Sequence, residues 1–232
     1  SATLKSLGNF NTLQRETGVP NSAHFLSVDG AFDYREAAAL CVPPGAVEGN
    51  SIEEHSRYII DNLESMVEDR AGTLVLFSSK RQMEQVYDEL PNPLAKIILI
   101  QGQYSNREMV RLHKERIDQG KTSVLLGLAS FAEGVDLPGD YCKHVVIAKL
   151  PFAVPDDPLH EALSEWIESR GGNSFFDISL PIASLRLIQA CGRLLRTESD
   201  TGRVSILDKR LITKRYGAQL LDALPPFRRE LP

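Results

Sequence analysis

Apolar residues recur along this chain with two periods, and the alternation between them lays out an architecture. Thr73 to Phe77 (TLVLF), Lys96 to Ile100 (KIILI), Ser123 to Leu128 (SVLLGL), His144 to Ala148 (HVVIA) and Val204 to Leu207 (VSIL) are short, nearly continuous apolar runs. Runs of this length predict strands buried on both faces. Between them, Ser51 to Arg70 repeats Ile52, Tyr58, Ile59, Leu63, Met66 and Val67 at helical spacing, and Lys80 to Leu90 and Asn106 to Gln119 also predict helices. Ser51 with Glu54 three residues on has the capping-box pattern, Ala71-Gly72 stops the first helix, and Pro91 stops the second. Strands alternating with helices predict right-handed βαβ units and an α/β fold with a mostly parallel sheet.

The flanks are less regular. Residues 1–50 read as a helix over 2–17 and a turn-rich approach segment with one short strand, Ala38 to Val42, leading to a body over 51–232. The proline-rich Pro151 to Pro158 leads into a charged helix, Leu159 to Arg170, and Gly171-Gly172-Asn173 leads back, a helical excursion over about 151–180. Leu185 to Arg210 follows. On a helix, Gln189, Arg193 and Arg196 fall within roughly 60° of one another, beside an apolar stripe of Ile188, Cys191 and Leu195. The opening Ser1, in place of Met, makes the chain read as a piece of a longer protein.

Composition changes this picture little: 232 residues, 42% hydrophobic and 25% charged, describe an ordinary folded domain without a disorder signature. No apolar run reaches membrane-spanning length, and the N-terminus lacks a basic stretch followed by an apolar one, so no membrane partner and a cytoplasmic location are expected. Cys41, Cys142 and Cys191 are odd in number, far apart and without histidines at ligand spacing, so buried thiols are expected rather than a metal site or disulfides. The net charge of −5 speaks against nucleic acid as a partner of the whole surface. Its distribution does not. From Arg186 to Arg215 there are eight basic residues against Glu198, Asp200 and Asp208, enough for a basic face on an acidic body.

In parallel sheets ligands gather beyond the carboxyl ends of the strands. Those ends read Ser78-Ser79, Gln101-Gly102, and a loop with Ser130, Glu133, Gly134 and Asp136. Two arginines one turn apart beside an amide, with Gly192 permitting close approach, suit a multiply charged phosphate, because guanidinium gives forked, permanently charged hydrogen bonds. A solvated basic face reads as well from that spacing alone, as does a helix N-cap for Ser78-Ser79. Gly120-Lys121-Thr122 imitates a phosphate loop but lacks the first glycine and sits after a helix and before a strand, the reverse of the required order. It reads as a turn. The five histidines form no triad, and Glu53-Glu54-His55 lacks the second histidine of a zinc protease motif. A site completed by another domain is what remains.

Taken in order, Ser1-Ala2-Thr3-Leu4, LVLFSS (74–79), Gln101-Gly102, SFAEGVDLPG (130–139), QACGRLLR (189–196) and Asp208-Lys209-Arg210 resemble motifs III to VI of the superfamily 2 helicases, in the XPD-like branch with its bacterial DinG-type members. The resemblance spans the chain. It implies a second RecA-like domain, three-layered with helices on both faces, preceded over 1–50 by the end of a first motor domain and a connector. It implies ATP with Mg shared with that first domain, which holds the phosphate loop and the magnesium acid. Arg193 and Arg196 would be the arginine finger and its companion, Gln189 would meet the γ-phosphate or orient water, and Glu133, Gly134, Asp136 and Gly192 would border the nucleotide. Ser78, Ser79, Gln101 and Ser130 would lie along single-stranded DNA. The resemblance also implies 5′ to 3′ translocation by the intact protein, an inactive and monomeric isolated domain, and an iron-sulfur cluster, if present, in the first domain. Phe152 fits either base stacking or packing, packing being the commoner use. The rival reading is a non-catalytic domain of helicase origin that docks nucleic acid or protein through its basic face.

Overall fold

A computed structural model describes residues 4–28, 30, 32–152 and 158–232. The chain begins with α1 (Asn11–Thr17), α2 (Tyr34–Ala37) and β1 (Ala38–Cys41). There follow α3 (Ile52–Asn62), β2 (Gly72–Phe77), α4 (Lys80–Glu89), α5 (Asn92–Ala95), β3 (Ile98–Ile100), α6 (Asn106–Asp118), β4 (Ser123–Leu128), α7 (Ala129–Glu133) and β5 (His144–Ile147). The last part comprises α8 (Pro158–Ser169), α9 (Leu180–Cys191), β6 (Gly202–Ile206), α10 (Arg210–Thr213), α11 (Arg215–Ala223) and β7 (Arg228–Glu230). The strands form one sheet in the order β3-β4-β2-β5-β6-β1-β7, every pair parallel.

Alternation along the strands explains the continuous apolar runs. Leu74 and Leu76 of β2 point into one core with Leu125, Val145, Ile147, Val204 and Ile206, under Met109 of α6, Phe131 of α7, Leu187 of α9 and Leu220 of α11. Val75 and Phe77 point into the other with Val124, Leu126 and Val146, under Ile59 of α3, Met83 and Val86 of α4 and Leu94 of α5. Each face is covered by helices, so the domain is the three-layer α/β sandwich that the resemblance implies.

Several boundaries differ from expectation for local reasons. The helix expected over 2–17 is helical only over Asn11–Thr17, residues 1–3 lying outside the described set. The helix expected over 51–70 starts where predicted, but the Ser51 side chain makes no cap bond, and the α-helix passes at Leu63 into a 3₁₀ turn over Leu63–Met66. Gly120-Lys121-Thr122 is the expected turn between α6 and β4, with Gly120 at φ +70°. Residues before position 50 do more than approach the body: β1 is threaded between β6 and β7, with Ala38 opposite Gly202 and Ala39 opposite Arg228.

The histidines that formed no triad in sequence staple loops to the sheet. His113 donates to Tyr141 O at 2.8 Å and meets Ser123 Oγ at 2.9 Å; His144 donates to Met66 O at 2.8 Å and meets Ser205 Oγ at 2.7 Å. Each carbonyl partner requires the facing ring nitrogen to carry the proton, so in the neutral ring the other accepts from a serine hydroxyl. Both rings have each nitrogen paired, and burial favours their neutral form. Cys142 and Cys191 are fully buried thiols, as expected, and burial pushes both up to about 12, whereas Cys41, expected buried too, is only partly covered. Among the described residues no group of histidines, cysteines and carboxylates is placed to hold a metal ion, and no helix is long and apolar enough to cross a membrane.

Candidate functional site

The carboxyl ends of β2 and β4 open on a cleft of about 280 Å³. Ser78 follows β2 at one wall; Ser130 and Glu133 come from α7, and Arg186 and Gln189 from α9 with Arg193 just beyond it. A glycine seats α7. A Cβ at Gly127 would stand 2.5 Å from Phe131 Cδ1, so only glycine in β4 lets the Phe131 ring lie on the strand and turn the next residues into a helix instead of the expected loop. Phe131 is 1% exposed and fixes α7 against the core.

The arginines are not on the helix. α9 ends at Cys191, Gly192 takes the C-cap, and the N–H groups of Arg193 and Leu194 turn back to the carbonyls of Ala190 and Cys191 at 3.2 Å. The expected single helical face carrying Gln189, Arg193 and Arg196 is therefore broken after Gln189, because the chain leaves the helix through a tightened turn. The side chains nevertheless converge on one segment. Arg193 Nη1 donates to Val135 O at 3.3 Å and Arg196 Nε donates to Asp136 Oδ1 at 2.8 Å. Burial first, and then the charge of Arg196, hold the half-buried Arg193 guanidinium below its usual value, while Glu133 and Asp136 oppose the shift. Arg193 keeps its charge and most of its donors.

The other predicted residues divide. Ser78, Ser130, Glu133, Gln189 and Arg193 line the cleft together. Asp136 and Arg196 form an exposed pair beside it, and Gly134 and Gly192 are exposed, an added Cβ at Gly134 meeting nothing within 4 Å. Ser79 is spent on structure, its side chain accepting from Gln82 N as the N-cap of α4. Gln101 is also committed: its Oε1 accepts from Leu128 N at 2.8 Å and anchors the end of β4. Phe152 lines the cleft but packs, its ring 5.5 Å from Phe175 and 5.6 Å from Tyr216, with Arg210 over it at 5.7 Å. Residues 153–157 of the proline-rich stretch lie outside the described residues.

Sequence reasoning gave no structural role to two carboxylates. Asp208, fully buried, accepts from the N–H groups of Leu150 and Gly49 and from Arg210, which gathers the ends of β5 and β6 and the segment after β1 at one point. Asp200, 3% exposed, accepts from Arg196 N, Thr197 N, Thr197 Oγ1 and Gly139 N. Burial opposes its ionisation, but these hydrogen bonds outweigh it and its pKa is lowered. The signal was present in Thr197-Glu198-Ser199-Asp200, where a short acid follows a helix end closely enough to cap the turn.

A family model described as "Helicase C-terminal domain" matches residues 63–227. The chain belongs to the helicase C-terminal domain family. It is similar to the ATP-dependent DNA helicase DinG of Photobacterium profundum, 46% identical over 235 residues, covering 99% of this chain and 34% of that protein. The DinG of Escherichia coli (strain K12) is 40% identical over 238 residues, covering 100% of this chain and 33% of that protein. The chain thus spans about a third of the length of these curated relatives. Two solved structures share the family's fold: "XPD_Helicase", with a TM-score of 0.62 at 21% identity over 84% of this chain and 36% of that one, and "Structure of S. tokodaii Xpd4", with 0.61 at 18% over 91% and 41%.

Proposed function

We propose that this chain is the C-terminal RecA-like motor domain, its body running from about residue 51 and its sheet taking in β1 before it, of an ATP-dependent 5′ to 3′ DNA helicase, and that it completes a nucleotide site whose phosphate loop belongs to an N-terminal motor domain of the same polypeptide. The observation that carries the reading is the convergence of Arg193 and Arg196 on the Val135-Asp136 segment at the rim of the cleft. A polyphosphate fits this rim: burial and then the neighbouring Arg196 charge disfavour the charged form of Arg193, and an anion at the guanidinium relieves that cost. ATP with Mg supplies the transferable phosphoryl group and its charge neutralisation. Arg193 and Arg196 hold positive charge toward it, the exposed Asp136 pair being one that a phosphate oxygen can displace. Gln189 orients a phosphate oxygen or a water from the end of α9. Glu133, Gly134 and Gly192 border the nucleotide, and Ser78 and Ser130 face single-stranded DNA. Ser79 and Gln101 serve that track indirectly, through the elements they anchor. Any iron-sulfur cluster belongs to the N-terminal part, because two of the three cysteines here are sealed in the core.

The test is Arg193→Ala in the intact helicase. DNA-stimulated ATP hydrolysis is expected to fall by roughly 10³-fold or more, with binding of a non-hydrolysable ATP analogue retained. Unchanged turnover would remove the finger assignment, and tight ATP-independent binding of single-stranded DNA by this chain alone would favour a non-catalytic module.

A further inference from the structure

The two halves of the proposed nucleotide rim come from segments far apart in sequence, the Val135 to Gly139 loop and the Gly192 to Asp200 turn. Two of the ties between them are the side-chain bonds of Arg193 and Arg196, the groups that must be free to meet a ligand. Another does not involve those side chains. Asp200 Oδ2 accepts from Arg196 N at 2.8 Å and Thr197 N at 2.9 Å, while Oδ1 accepts from Thr197 Oγ1 at 2.6 Å and Gly139 N at 3.1 Å. One carboxylate therefore caps the arginine turn with one oxygen and holds the loop with the other. Leu194 and Leu195 inside the turn and Leu137 in the loop are buried, so the clamp sits against the core.

We propose that Asp200 is a positioning residue for hydrolysis, fixing the arginine turn on the Asp136 loop so that Arg193 and Arg196 are already placed when nucleotide arrives. The proposal rests on the functional reading above. The geometry gives it a chemical signature. An asparagine keeps one acceptor oxygen; turned to cap Arg196 N and Thr197 N, it sets its NH₂ toward Gly139 N–H, donor against donor. Asp200→Asn thus keeps the turn capped and releases the loop. Thr197→Val removes one bond to the clamp at nearly constant volume.

The experiment measures kcat and KM for single-strand-stimulated ATP hydrolysis by the intact helicase carrying D200N, T197V, R193A or D200N with R193A. A displacement of about 1 Å costs on the order of 10²-fold in rate, so D200N is expected to lower kcat by roughly 10- to 100-fold while KM for ATP moves less than about threefold. T197V is expected to fall by a smaller factor. If Asp200 acts through both arginines, D200N costs less in the R193A background than in the wild type, because only Arg196 is left to misplace. A normal kcat in D200N beside an impaired R193A overturns the positioning role and leaves the finger reading standing; multiplied losses in the double variant overturn it too. Normal turnover in R193A removes the finger reading and this proposal with it. Should D200N melt at the assay temperature, T197V decides: an unchanged kcat counts against the clamp.

Discussion

His113 and His144 make acid sensitivity a direct consequence of the packing. Both are buried and neutral, with each ring nitrogen committed, and burial is the main cause that lowers their pKa from 6.5 to about 4. Neighbouring cations add to the effect, Arg116 and Lys114 near His113 and Arg203 near His144; the hydrogen bonds to the Tyr141 and Met66 carbonyls pull the other way without prevailing. A histidine that titrates at 6.5 unfolded and about 4 folded leaves the native state short of a proton between those values. Stability is therefore complete above the unfolded value and is lost as pH falls toward the folded one. By about pH 4.5 the linkage amounts to roughly 2.5 kcal/mol per histidine. Urea unfolding of the domain at about pH 7.5 and pH 4.5 measures it. The wild-type midpoint should drop on acidification, and His113→Gln, less stable at neutral pH, should lose part of the slope. Carboxylates such as Asp208, whose pKa is lowered although burial opposes it, act only at lower pH. Equal midpoints at the two pH values, or an unaltered slope in H113Q, would refute the reasoning.

Two further outcomes follow from packing. Gly127→Ala drives a methyl to 2.5 Å from Phe131 Cδ1, and overpacking of this kind costs about 1–3 kcal/mol; a lowered melting temperature is expected, and an unchanged one would show that α7 shifts freely. Titration with an aromatic disulfide reagent should modify Cys41 before the buried Cys142 and Cys191, which react only as fast as the domain opens; immediate reaction of all three would contradict the burial.

Much of the sheet was legible because its interior strands are covered on both sides and read as unbroken apolar runs, TLVLF and HVVI above all. β7, Arg-Arg-Glu at the edge with every residue exposed, carries no such signal. The arginines were visible as residue types, but their setting was not. Helical spacing continues through Leu195 in sequence, whereas the chain leaves the helix at Gly192, and Asp200, eight residues on, takes up the N–H groups of Arg196 and Thr197 that follow. The seating of α7 also escaped, since it depends on the missing Cβ of Gly127 under Phe131. Ser79 and Gln101 showed the reverse: residue types suited to a ligand were spent on a helix cap and a backbone amide.

The threading of β1 between β6 and β7 bears on where this folded unit can be divided. The family match begins at residue 63 and the expected boundary lay at 50, yet Ala38–Cys41 supplies the strand that β7 pairs with. A fragment begun at either position would strip the partner from β7 and leave the hydrogen-bonding groups of β6 as a raw edge, open to pairing with a second molecule. The stretch that defines the family by sequence is shorter than the stretch that closes the sheet.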